Sequence, residues 1–172
     1  MNQNEYNLKI VSGTADIETL KNSIGEILAA VPLCTFATTT PDGAPHITNT
    51  FFAYTSKLQI VTLTSPTSGH GVNIRLNSRV EVSIADTTQS PTDQKQGLEL
   101  VGTMRQASGM ESMRAYGAYM KRFMDDFKKG GNHPSMSKMM HSRPFVVDVS
   151  LVKVLDEKHL ENDTLYVAEV SR

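Results

Sequence analysis

Short β-type runs joined by turns too brief to carry a crossover constrain this chain most. Residues 33–40, rich in Thr, Phe and small apolar side chains, are followed by Pro41-Asp42-Gly43. In that turn proline presets φ and glycine accepts a positive one. A second run over 46–54 leads through Thr55-Ser56-Lys57 into a third over 58–64. Three connecting residues suit a hairpin, whereas parallel strands need a dozen or more. Arg79-Val80-Glu81-Val82-Ser83-Ile84 alternates with period two, as a half-buried strand does. Further strands are expected over 98–104, 145–154 and 164–170. Gly102 interrupts the first of these, a sign of a bulge or a close backbone approach.

Two helical patterns flank the strands. Over 14–30, Ile17, Leu20, Ile24, Ile27 and Leu28 fall on one face, with Thr14 or Asp16 as the cap and Pro32 as the stop. Ser108-x-x-Glu111 has the form of a capping box and opens the clearest helix. Its Met110, Met113, Tyr116, Met120, Phe123 and Phe127 recur at three and four residues, and Lys128, Lys129 and Gly130 end it. These methionines read as core or as a lid facing a partner subunit. The charged end with Lys121-Arg122 and Asp125-Asp126 reads as a solvated face. A brief helix is expected at Val72 and Leu76, and a loose arm over 1–13. Six or seven short antiparallel strands with flanking helices predict a mainly β, closed barrel in a single domain spanning 1–172.

A length of 172 residues, with 39% apolar and 20% charged side chains, supports one folded core. A net charge of −1 does not suggest nucleic-acid binding. The lone Cys34 lies in an apolar run and cannot form an intrachain disulfide, which favours a reducing, cytoplasmic setting. No apolar stretch reaches the roughly 18 residues of a membrane span, and no secretory leader is visible. His133, Met136, Met139, Met140 and His141 are soft donors. Their spacing fits no known metal site, so a loop is the better reading and no metal is assigned.

Residues 27–106 resemble the flavin-binding split barrel of the pyridoxamine 5'-phosphate oxidase-like superfamily. The residues that carry this are the run 33–40 with the turn Pro41-Asp42-Gly43-Ala44-Pro45, and His46-Ile47-Thr48-Asn49-Thr50-Phe51-Phe52, which is similar to one wall of the family's flavin site. Ser68-Gly69-His70-Gly71-Val72-Asn73-Ile74 stands where the family shows a Ser-x-Lys-x-x-Asn-Leu-like segment. Asn77-Ser78-Arg79-Val80 and the glycine of Leu98-Glu99-Leu100-Val101-Gly102-Thr103 complete the order. The resemblance implies a homodimer with a cofactor between its subunits, Thr48 and Thr50 beside the ring of FMN, and Thr64, Ser68 and His70 near its phosphate.

The residue types suit that chemistry. A phosphate dianion calls for hydroxyls, backbone N–H groups and a cation. Thr64, Ser65, Thr67, Ser68, Gly69 and His70 stand together, and Asn73 is expected to begin a helix whose N-terminus favours an anion. Thr48, Asn49 and Thr50 offer donors to the ring edges. Two departures matter. His70 replaces the family's usual basic residue, with Arg75, Arg79 or Lys57 as substitutes, and this leaves room for another ligand. The chain also lacks Trp and ends Ala168-Glu169-Val170-Ser171-Arg172, unlike the vitamin B6 oxidases. The first expectation is an FMN-dependent oxidoreductase acting on a small-molecule substrate, with no side chain assigned as catalytic and His46 or His70 as conceivable proton donors. Alternatives are an F420-binding homologue, a non-catalytic flavin or haem module, and an empty barrel with a structural role.

Overall fold

The computed structural model describes residues 5–129, 141–161 and 163–172. In chain order they form β1 (Asn7–Ser12), α1 (Ile17–Ala30), β2 (Leu33–Thr39), β3 (Pro45–Tyr54), β4 (Gln59–Thr64), α2 (Gly69–Leu76), β5 (Arg79–Ala85), β6 (Gln96–Gln106), α3 (Gly109–Lys129), β7 (Arg143–Asp156) and β8 (Leu165–Ser171). His133, Met136, Met139, Met140 and Gly130 lie outside the described residues. Strands β7-β4-β3-β2-β5-β6 neighbour one another in that order, and β6 returns to β7, so six antiparallel strands close a barrel. The expected mainly β closed barrel is the fold observed.

Strand β7 is the hub. Its first part pairs with β4 from Arg143 to Asp148, its last part pairs with β8 from Leu151 to Leu155, and β6 runs beside it from Phe145 to Asp156. Strands β8 and β1 thereby extend the sheet beyond the barrel. Residues 7–12, expected within a loose arm, instead form β1 against β8, with Tyr6 and Leu8 buried in the core. The distant partner, not local propensity, makes this strand.

Alternation fills the interior. On β5, Val80, Val82 and Ile84 are buried and the residues between them are exposed. From α1, Leu20, Ile24, Ile27 and Leu28 join the same core cluster, each burial contributing about 1.5–3 kcal/mol. Asp16 caps this helix by accepting from the Thr19 amide at 2.9 Å. A helix of 14 residues would be marginal alone, so the barrel holds it. Gly102 marks the bulge expected of it: the β6–β7 register shifts there, and a Cβ would collide with the Asp148 carbonyl. Cys34 is buried, and burial pushes its thiol up to about 12, which suits a packing role.

Helix α3 lies on the outer face of the barrel, where Ala115, Tyr119 and Phe123 pack with Ala53, Val61 and Val146. The methionine stripe is not core. Met110 and Met113 are 62% and 61% exposed, because they project from roughly the opposite side of the helix to Ala115. Glu111 is engaged by Arg105, so the Ser108-x-x-Glu111 pattern is used for an ion pair across the turn. Arg122 also departs from expectation. Its guanidinium turns inward, lies 4.5 Å from the centre of the Phe52 ring, and donates to the Leu28 and Val31 carbonyls at 2.7 and 2.8 Å.

Candidate functional site

The site forms where α2 meets the facing strands β2, β3 and β4. On β3, side chains alternate between the barrel side and the outside. His46, Thr48 and Thr50 stand opposite Thr38, Phe36 and Cys34 of β2, and residues directly opposite in an antiparallel pair share a face. On β4, Ile60 belongs to the interior cluster, so Thr62 and Thr64 face the same way. Helix α2 brings His70 to this row of hydroxyls.

His70 joins the two strands. Its Nδ1 lies 3.3 Å from the Thr48 hydroxyl and its Nε2 lies 2.5 Å from that of Thr64. Phe36 supports the imidazole edge-on at 5.4 Å, and the His46 ring is stacked 6.4 Å away. Thr48 of β3 and Thr64 of β4 are thus brought to one place through a single side chain. Burial, and then the neighbouring His46, hold His70 below the ordinary histidine value.

Asn73 has a different place from the one expected. The helix begins at Gly69 with Ser68 as its N-cap, so Asn73 lies within the helix, one turn past its start. Nearly fully buried, its amide nitrogen approaches Thr38 Oγ1 at 3.0 Å and His46 Nδ1 at 3.2 Å. It therefore holds His46 instead of opening a helix toward an anion. The loop before α2 is shaped by its own hydroxyls. Ser68 Oγ donates to the Ser65 carbonyl at 2.7 Å and accepts from the Gly71 amide at 3.2 Å, while the Ser65 and Thr67 hydroxyls meet at 2.9 Å. Gly71 permits this fold of the backbone, since a Cβ there would stand 2.7 Å from the Ser65 carbonyl and 2.8 Å from that of Pro66.

The remaining expected residues divide. Thr50 is on the His70 side of β3, with its hydroxyl on the Phe51 carbonyl at 3.3 Å. Asn49 is on the other side, accepting from Thr35 at 2.6 Å, beside the exposed Ile47 and Phe51. Among the substitute cations, Arg75 donates to the Pro66 carbonyl at 3.1 Å and so braces the loop. Lys57 sits at the other end of β4 against Glu5, and Arg79 opens β5. Arg143 goes unmarked in the sequence, yet it is the register partner of Thr64 on β7 and shares its face. Only the β4–β7 pairing reveals it.

The donor set suits an anionic group such as a phosphate. Thr48 and Thr64 offer hydroxyls, the first turn of α2 offers backbone N–H groups, and His70 can become a cation. Among the described residues, the buried hydroxyl of Thr62, two residues before Thr64, has no hydrogen-bond partner.

A closed six-stranded barrel with two added strands, and a short helix over its hydroxyl-rich wall, defines a split-barrel protein. The chain belongs to the pyridoxamine 5'-phosphate oxidase family, whose model matches residues 20–151. No curated protein matches the sequence. Solved structures share the fold at low identity. A haem-binding protein from Mycobacterium smegmatis is 16% identical with a TM-score of 0.68, covering 91% of this chain and 60% of its own length. This chain thus spans about three fifths of that protein. A conserved hypothetical protein from Mycobacterium tuberculosis is 22% identical with a TM-score of 0.65, covering 90% and 91%. The haem storage protein HutZ from Vibrio cholerae is 14% identical with a TM-score of 0.61, covering 87% and 94%.

Proposed function

We propose that this protein binds FMN at the His70 site and serves as an oxidoreductase for a small organic substrate. The observation that carries this reading is the junction of Thr48 and Thr64 on the two nitrogens of His70. Thr64, Ser65, His70 and the amides that open α2 would hold the phosphate, with Thr48 and Thr50 along the ring, while Asn49 faces the other side of β3. FMN would supply hydride exchange at its N5. The chain's own work is to bind, orient and exclude water. His46, whose Nδ1 is engaged by Asn73, would present its Nε2–H as a donor.

The site would be completed by a second copy of the chain. Leu33, Ile47 and Phe51 expose an apolar strip on the outer face of β2 and β3, and Met110, Met113 and Met124 expose another on α3. A homodimer would cover them. Phe51→Glu is expected to shift the sedimentation of a dimer to that of a monomer; unchanged sedimentation would discard this face as the interface. No described helix is long and apolar enough to cross a membrane, and an unpaired, buried Cys34 suits the cytoplasm.

Absorbance of the purified protein tests the cofactor. A band near about 450 nm that is released on heating supports FMN, and bleaching by reduced nicotinamide with reoxidation by substrate supports catalysis. A deazaflavin spectrum would transfer the reading to F420. Haem is the second reading, favoured by the haem-related names of two structural neighbours. A Soret band would establish it, and a colourless protein that ignores all three would leave an empty barrel.

A further inference from the structure

His46 and His70 are set up differently, and the difference bears on how a phosphate would be held. An amide nitrogen is a donor only, so the Asn73 contact makes His46 Nδ1 an acceptor. Protonating His46 at Nδ1 would set two donors face to face. His70 is the reverse. Both of its nitrogens already face hydroxyl oxygens, and a hydroxyl donates or accepts by rotation. His70 can therefore gain a proton without moving a heavy atom. When it does, both ring N–H groups donate to Thr48 and Thr64, and the two hydroxyl protons are released to point at a ligand.

We propose that His70 is the proton-coupled determinant of phosphate recognition: it takes up one proton as a phosphorylated ligand binds, and so favours the phosphorylated form over its dephosphorylated analogue. This rests on the FMN reading above and adds to it how the anion is paired in a loop without lysine. The surroundings agree. The titratable neighbour that acts on His70 is His46 on β3; Arg75, on the same helix, is turned to the Pro66 carbonyl, and Arg143 is the register partner of Thr64 on β7. Strands β2 and β4 face it with Phe36 and Thr64. The arginines stay charged throughout, so His70 is the group left to respond. Free of ligand it favours the neutral form, since burial and His46 oppose its charge. A dianion at the loop reverses that balance.

The test titrates the apoprotein with FMN and with riboflavin, which differ only by the phosphate, using flavin fluorescence. The range runs from about pH 7, where the phosphate is already largely dianionic, to about pH 8.5. For the native protein, the preference for FMN should fall with rising pH, by up to about tenfold per unit. Calorimetry in buffers of different ionisation enthalpy should show uptake approaching about one proton per FMN and none per riboflavin. His70→Gln should give a low, flat preference and His70→Lys a high, flat one, the lysine variant also showing that the loop still folds. A preference in the native protein that ignores pH, with no proton uptake, overturns the coupling and leaves the phosphate site standing. Equal affinity for FMN and riboflavin at every pH, or binding of neither, overturns the underlying reading and the proposal with it.

Discussion

Arg122 places a permanent charge against the barrel wall and uses it as a cap. Helix α1 ends at Ala30 without a basic residue in its last turn, so its final carbonyls need donors from elsewhere. One nitrogen of Arg122 supplies them, reaching the Leu28 and Val31 carbonyls while the planar group covers Phe52 and Tyr54. Among the described residues, its other terminal nitrogen is buried without a hydrogen-bond partner. Arg122→Ala is expected to destabilise the protein by about 2–3 kcal/mol in urea unfolding, the scale of charge-assisted hydrogen bonds. Arg122→Lys should recover little, because an ammonium lacks the planar fork. His70 also carries a stability consequence. Its folded value is depressed, so the unfolded chain binds the extra proton first. This contribution is complete above the unfolded histidine value of about 6.5 and is lost as pH falls below it through the depressed folded value. Removing the ligand and measuring thermal unfolding should show a decline below that pH which His70→Gln lessens. Stability of the ligand-free protein and affinity for phosphate thus respond to pH in opposite senses.

At the level of elements, α2 is the piece that couples fold to site. Its entry rests on Gly71, which lets the helix sit against the Ser65 and Pro66 carbonyls. Gly71→Ala must displace backbone, not a flexible side chain, at a cost of about 1–3 kcal/mol. Thermal unfolding should register that loss, and flavin affinity should fall with it because His70 precedes the displaced residue. Most elements were legible because their patterns are local. The alternation over β5 and the apolar stripe of α1 specify their own buried faces. Gly102 announced its bulge through the absence of a side chain. Features set by distant partners were hidden. The β1 run Leu8-x-Ile10 is too short to stand out, and its partner lies over 150 residues away, as Asn7↔Ser171 shows. Helical periodicity placed Arg122 among exposed charges, since spacing cannot show that a neighbouring helix lacks donors. The site was legible as a collection of hydroxyls and a histidine. That Asn73 restrains His46, and that Arg143 stands beside Thr64, are consequences of pairing and packing.

For the molecule as a whole, β1 and β8 thicken one side of the barrel and contribute to the same core. Deleting residues 1–12 would remove the buried Tyr6 and Leu8 and uncover the edge of β8. Loss of two such side chains is worth about 3–5 kcal/mol, while the exposed Lys9–Glu169 pair adds little. The truncated protein should unfold at lower urea and scatter light on standing, because an open strand edge invites pairing between molecules. Retention of the native urea midpoint would mean that β1 is dispensable. The position of β7 carries a further consequence for how the chain is made. Strands β4 and β6 both find their closing neighbour in a segment that begins at Arg143. During synthesis, most of the polypeptide must therefore leave the ribosome before the cylinder can seal, and until then two strand margins stay open to chaperones or to one another. Nascent chains arrested ahead of that segment should remain protease-sensitive, and those released beyond it should become resistant in a single step.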